Sequence, residues 1–342
     1  MLEEIRQQPE TLRRLMQSER PKMRKLGEAL RRRSIRLIVL VARGSSDNAS
    51  LFGRYLLEIT TGIPVSLAAP SVYTVYGAKM RLENTLVIGV SQSGEGEDIN
   101  RVVSEAHSAG AFTIGITNEA ESSMVKLVDE AMLLQGGKER SVAATKTFTG
   151  QMMMFYLLAE ALAGSATQVA RYETIPDLCA AALAHEARIR EVVQRYTFME
   201  NCVVLGRGLL YGNAYELALK LMETCYVVAE RFSTADFFHG PLAMIERHFP
   251  TIMFAAPGAM MASVKTLATR LKELNAETLA ISSDDALAEN CSQTVRMDPA
   301  IGEFLAPIPY MIPAQMFAAL LAEAKGLDPD RPRSLSKVTR TL

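Results

Sequence analysis

The feature that most constrains this chain is a series of short, nearly continuous apolar segments that alternate with helical patterns, twice over. A strand is read at 113–117, and segments 35–42 and 86–90 are apolar at almost every position rather than at every second one. A strand of that kind has no face to give to water and must be covered on both sides. Strand signals at 65–69 and 131–134 join them, with helical patterns at 49–60, 71–79, 97–109 and 122–127. Strand–helix alternation of this length predicts an α/β fold, a doubly wound parallel sheet of flavodoxin-like order. A long apolar helix is expected over 145–162. The pattern then restarts, with strands at 202–205, 226–229, 252–255, 278–282 and 294–297 and helices at 214–224, 262–274 and 310–325. Each half reads as a sheet of about five strands, so the architecture is a duplicated domain rather than a short-period solenoid. The expected divisions are an amphipathic helical segment at 1–34, a first domain at 35–165, a helical connector at 166–197, a second domain at 198–327 and a tail at 328–342. Pro176 is expected to break the connector.

Bulk electrostatics narrow the function. The 342 residues carry a net charge of −1, which removes any general attraction to nucleic acid or to an anionic membrane. Arg31, Arg32, Arg33 and Arg36 cluster where the first helical pattern ends and read as a solvated helix end. No segment approaches the roughly 18 apolar residues of a membrane span, and the N-terminus shows no signal-peptide core. Cys179, Cys202, Cys225 and Cys291 are scattered without CxxC or His pairing, which argues against zinc and against a disulfide framework. Reduced thiols in the cytoplasm are the expectation.

Two polar loops stand out because each follows an apolar strand: Gly44-Ser45-Ser46 and Ser91-Gln92-Ser93-Gly94. Serine hydroxyls and glycine-freed amides at the carboxyl ends of parallel strands make a good cradle for a phosphate. Serines there also serve as ordinary helix caps, but two such loops in one sheet favour binding. Neither loop has the lysine of a Walker motif, which argues against a nucleoside triphosphate. In the second half, Glu216, Lys220 and Glu223 fall within about 60° on one helix face. Their plain reading is a surface ion pair worth about half a kcal/mol. Leu217, Leu219, Leu221 and Met222 make that helix apolar nearly all round, so burial is expected, and burial raises a carboxylate pKa toward neutrality.

Taken in order, several motifs resemble those of the SIS (sugar isomerase) domains, as in the isomerase half of glucosamine-6-phosphate synthase and the related amino-sugar-phosphate deaminases. They are Arg43-Gly44-Ser45-Ser46, Val90-Ser91-Gln92-Ser93-Gly94-Glu95, Ala144-Thr145-Lys146-Thr147-Phe148-Thr149, Gly206-Arg207-Gly208, the run 216–223, His239-Gly240-Pro241-Leu242-Ala243, and Pro332-Arg333-Ser334-Leu335-Ser336-Lys337. The resemblance runs from about residue 35 to the C-terminus and implies two tandem SIS domains. It implies that Gly44, Ser45, Ser46, Ser91, Gln92, Ser93 and Gly96 bind the phosphate. Val142 and Ala144 would hold sugar hydroxyls. Two positions depart from the family pattern: Gly96 replaces a threonine and Ala144 a serine. The resemblance further implies that Glu223 moves a proton between C1 and C2, supported by Glu216 and Lys220. His239 would open the sugar ring, and the tail would bring Ser336 and Lys337 over the site. Glu95, Glu139 and Lys146 are expected to brace loops. His107, His185 and His248 are left as structural.

The 34 residues before the first strand are too few for the glutaminase domain of the synthase, so the expectation is a chain without one. In such a chain ammonia release from a 2-amino-2-deoxyhexose 6-phosphate is the expected direction, without metal or organic cofactor. An aldose–ketose isomerase, a fructosamine-6-phosphate deglycase and a non-catalytic sugar-phosphate sensor are the alternatives. The resemblance also implies a homodimer whose His239 loop crosses to its partner's site. The expected partners are therefore a phosphorylated hexose or hexosamine and a second copy of the chain.

Overall fold

A computed structural model describes residues 1–163 and 171–337. These fall into two compact units, each built on one sheet. The first-sheet unit takes Glu10–Glu139, Ala144–Tyr172 and the chain from Leu335. The second-sheet unit takes Met1–Pro9, Arg140–Ala143 and Glu173–Ser334.

The first sheet contains β1 (Leu37–Val41), β2 (Val65–Leu67), β3 (Thr85–Val90), β4 (Phe112–Thr117) and β5 (Glu130–Leu133), all parallel in the order β2-β1-β3-β4-β5. Every residue of β3 is buried, as its unbroken apolar run requires. On one face Val39, Val41 and Val87 pack with Ile99, Val102 and Ala106 of helix Glu97–Ser108. Elsewhere in the unit helix Ser45–Thr61 lies against helix Lys146–Ala163, with the rings of Phe52 and Tyr156 5.3 Å apart. The chain leaves β1 toward one edge and returns to β3 on the other side. The carboxyl ends of β1 and β3 therefore flank the switch point, where doubly wound sheets bind ligands.

The second sheet contains β6 (Asn201–Gly206), β7 (Val228–Ser233), β8 (Pro250–Ala255), β9 (Glu277–Ser282) and β10 (Gln293–Arg296), all parallel in the order β10-β9-β8-β6-β7. Read from the β7 edge, this is the order of the first sheet. Val203, Leu205 and Met253 pack with Val264, Leu267 and Leu271 of helix Met261–Glu273.

Several expectations need correction. The single helix over 1–34 is two, Leu2–Arg6 and Gln8–Arg31. Pro9 lacks an N–H and fits in a first turn, so the helix restarts beside it. Pro176 likewise begins a helix, Ile175–Ala182, instead of breaking one. Of the expected connector, 166–170 lie outside the described residues. The strand expected at 226–229 is Val228–Ser233. Tyr226 takes φ 56° and closes helix Tyr211–Cys225 by donating its N–H to Leu221. Polar Glu230, Arg231 and Ser233 hid the rest because β7 is an exposed edge strand. The arginines at the end of the second helix are exposed, yet two have partners: Arg31 donates to the Ala161 carbonyl and Arg33 stacks 4.5 Å over Phe112. Among the described residues, none of the four cysteines is joined in a disulfide. No helix among the described residues is long and apolar enough to cross a membrane.

Candidate active site

The first-sheet unit places both serine loops at the switch point between β1 and β3. Gly44 takes φ 56°, a conformation that disfavours side chains, and helix Ser45–Thr61 starts directly after it. That start is four residues earlier than the sequence pattern indicates, so Ser45 and Ser46 form the helix's first turn. Ser46 is buried and Ser45 half-buried. After β3, Ser91 Oγ accepts from Gly94 N at 3.1 Å and Ser93 Oγ from Glu95 N at 3.3 Å. Gly94 takes φ 65°, and a Cβ there would lie 2.2 Å from Ser122 Oγ. Ser91, Gln92, Ser93 and Gly96 are half-buried. Gly96 precedes helix Glu97–Ser108, whose first-turn N–H groups point back toward the loop. The two loops are tied together: Arg43 Nε donates to buried Asp98 at 2.8 Å, linking the residue before Gly44 to the helix after Gly96. Glu95 braces its loop by accepting from Ser123 N at 2.8 Å and Ser123 Oγ at 2.7 Å, and these bonds hold its carboxyl below the ordinary range.

The same unit brings the tail to a buried carboxylate. Lys337 Nζ donates to Glu139 Oε2 at 2.8 Å, and the Glu139 side chain is fully buried. Glu139 also accepts from Thr145 N at 3.0 Å, Thr147 N at 3.2 Å and Thr147 Oγ1 at 2.8 Å. Burial pushes its carboxyl up, but the Lys337 ammonium and these bonds outweigh burial and hold it below the ordinary range. Glu139 is thus both the loop brace expected of it and the docking point of Lys337. Lys146 donates to the Lys138 carbonyl at 2.9 Å, as a brace should. Ser336 is exposed, and Val142 and Ala144 are each half-buried. Residues 338–342 of the expected tail lie outside the described residues.

The second-sheet unit carries the ionic helix Tyr211–Cys225. Glu216 and Lys220 are fully buried and Glu223 is 20% exposed in its side chain. Lys220 Nζ lies 3.4 Å from Glu216 Oε1 and makes a short contact with Glu223 Oε2. Burial lowers a lysine's pKa, but the two carboxylates more than offset that and raise it, so the ammonium stays charged. The spacing placed these three on one face. The direct contact of Lys220 with Glu223 is what the apolar surroundings alone did not reveal. His239 lies elsewhere in the unit, in an exposed turn where its N–H donates to the Asp236 carbonyl at 2.9 Å. Among the described residues it makes no polar contact with the ionic helix. Earlier in the tail, Arg333 N donates to the Tyr226 hydroxyl at 2.8 Å, and its guanidinium stacks 4.0 Å over that ring.

The second sheet's switch point is of different character. Its loops, Gly206-Arg207-Gly208 after β6 and Ala256-Pro257-Gly258-Ala259 after β8, have no serine. A carboxylate sits there: Glu303 Oε2 accepts from Ala259 N at 2.5 Å, and Glu303 N donates to Pro257 O at 2.9 Å. Sequence reasoning missed Glu303, Arg43–Asp98 and Gln151, whose Nε2 donates to Ser46 Oγ at 2.9 Å. Only Gln151 leaves a signal, as an amide at the edge of an apolar helical run.

Comparison with known proteins agrees with this architecture. The family model described as SIS domain matches residues 33–161 and 199–323. The isomerizing glutamine–fructose-6-phosphate aminotransferase of Gloeobacter violaceus is 35% identical over 317 residues, which cover 88% of this chain and 51% of that protein. The chain spans about half the length of the curated relatives it matches. The C-terminal domain of glucosamine-fructose-6-phosphate aminotransferase from Francisella tularensis superposes with a TM-score of 0.86 at 27% identity, covering 97% of this chain and 98% of that one. Glucosamine-6-phosphate deaminase from Thermotoga maritima has the same fold, with a TM-score of 0.77 at 22% identity over 99% of each chain.

Proposed function

Because the chain belongs to the SIS domain family, and is a phosphosugar isomerase-like enzyme by that kinship, we propose that it converts a 2-amino-2-deoxyhexose 6-phosphate, glucosamine 6-phosphate first among them, to the ketose 6-phosphate and ammonia. The observation that carries this reading is the pair of hydroxyl-bearing loops at the switch point of the first sheet. Ser45, Ser46, Ser91, Gln92, Ser93 and the backbone of Gly44 and Gly96 hold the phosphate. Val142, Ala144 and Ser336 contact the sugar.

His239 moves a proton between the ring oxygen and the C1 hydroxyl and opens the pyranose. An imidazole can take up a proton at one ring nitrogen and give one from the other, which suits that shuttle. Its exposed turn is free to serve a second copy of the chain, so the working form is a homodimer. Glu223 takes the C2 proton and delivers it to C1, giving an enolamine and then a C2 imine. Water adds to the imine carbon and ammonia leaves, so one water is consumed for each ammonia released. Lys220 holds Glu223 in place and Glu216 completes the charge balance. Lys337 stabilises the open-chain sugar. General acid–base catalysis of this kind contributes about 10²–10⁴-fold.

The test is incubation with glucosamine 6-phosphate, assayed for ammonia and fructose 6-phosphate. Both products should appear in equal amounts. Glu223→Gln should lower kcat by at least about 10²-fold with sugar-phosphate binding retained. Interconversion of hexose phosphates with no ammonia would make the chain an aldose–ketose isomerase. Equal loss of binding and turnover in Glu223→Gln would remove Glu223 from catalysis.

A further inference from the structure

Helix Lys146–Ala163 is buried along most of its length, and residues 152–159 are apolar throughout. Gln151, at 1% exposure, sits just before that run. Its Nε2 donates to Ser46 Oγ at 2.9 Å, across 105 residues of sequence. Its Oε1 is buried and has no hydrogen-bond partner among the described residues. A buried carbonyl oxygen left unpaired costs stability, and an apolar side chain of the same length would fill the space without that cost. Folding alone therefore does not account for a glutamine at this position.

Ser46 does account for it. A serine hydroxyl has one proton to give and two lone pairs to receive. Gln151 engages a lone pair, which fixes the oxygen and leaves the proton to be given elsewhere. Ser50, one turn further on, spends its own proton on the Ser46 carbonyl at 2.8 Å. Ser46 makes no such donation among the described residues, and it lies in the first turn beside the switch point. We infer that Gln151 is a positioning residue that holds the Ser46 hydroxyl as a donor toward a phosphate monoester. The inference rests on the phosphate cradle described above and adds to it the group that orients its buried serine.

The experiment compares the full chain with Gln151→Met, Ser46→Ala and the double variant. Calorimetric titration with inorganic phosphate and with glucosamine 6-phosphate reads binding, steady-state kinetics read kcat and KM, and denaturant midpoints read stability. Gln151→Met should weaken both ligands by about tenfold and raise KM by a similar factor, with kcat within about twofold. Its unfolding midpoint should stay level or rise, because the orphan oxygen is gone. Losses in the double variant should match those of Ser46→Ala alone, since the two act through one hydroxyl. A lower midpoint with unchanged binding would make Gln151 structural and overturn the assignment, as would additive losses. If Ser46→Ala weakens binding and Gln151→Met does not, only the role of Gln151 falls. If Ser46→Ala binds as the parent does, the cradle reading falls and takes this assignment with it.

Discussion

At the scale of single residues, Lys220 carries the heaviest electrostatic duty in its unit. It is fully buried between two carboxylates, one of them fully buried as well. Replacing it by methionine removes the ammonium that Glu216 and Glu223 share in an apolar setting. The expected loss is about 3–5 kcal/mol, read from denaturant midpoints at neutral pH. The pH dependence follows from the raised pKa: the contribution is complete below the ordinary lysine value of about 10.4 and fades as pH rises through the higher folded value. Midpoints that fall between neutrality and the ordinary lysine value for want of this pair would contradict the assignment. The shared face of Glu216, Lys220 and Glu223 was legible in the sequence because spacing on a helix is a local property. Which carboxylate the ammonium would touch was not legible, and neither was the bond from Gln151 to Ser46, since each depends on side-chain placement that spacing does not set.

At the scale of elements, the basic face of helix Gln8–Arg31 has a definite purpose. Arg20 and Arg24 donate to Glu160 of helix Lys146–Ala163 at 2.8 and 2.9 Å, and the Tyr172 hydroxyl adds a bond of 2.6 Å. Burial pushes the Glu160 carboxyl up, yet these donors outweigh it and bring it down to about 2. A depressed carboxylate stabilises the fold above its unfolded pKa and loses that contribution as pH falls toward the folded value. Glu160→Gln should therefore melt below the parent at neutral pH, and the gap should close as the buffer is taken from about pH 4.5 toward 2. A gap that persists unchanged to the acid end would show that Glu160 acts by packing. The central strands were legible because burial on both faces leaves a nearly continuous apolar signature. The edge strand β7 was not, because half-exposed strands carry polar residues that mimic loops. The early helix break escaped notice because Pro9 is as acceptable in a first turn as it is disruptive later.

At the scale of the whole molecule, one strand order occurs twice and the two copies have diverged at the point that matters chemically. The duplication was legible from the repeated strand–helix pattern. The division into units was less so: Arg140–Ala143 and Met1–Pro9 belong with the second sheet although they lie before or between segments of the first-sheet unit. Such membership is set by contacts between residues distant in sequence, which no local pattern encodes. The functional divergence was half legible, since hydroxyl-rich loops in the first copy and their absence in the second are plain in the sequence. The carboxylate at the second switch point was hidden, because Glu303 comes from 44 residues beyond the amide that it meets. Titration with glucosamine 6-phosphate should give one site per chain. Two equivalent sites would mean that the second sheet also accepts the ligand.

Glu303 has a wider consequence. An anion supplied by the polypeptide cannot be diluted, washed out or outcompeted in the way a dissolved one can. Its bonds at Ala259 and Pro257 tie the loop after β8 to a fixed point of the same chain. On the function proposed above, that leaves the first copy as the one with room for a dissolved anion.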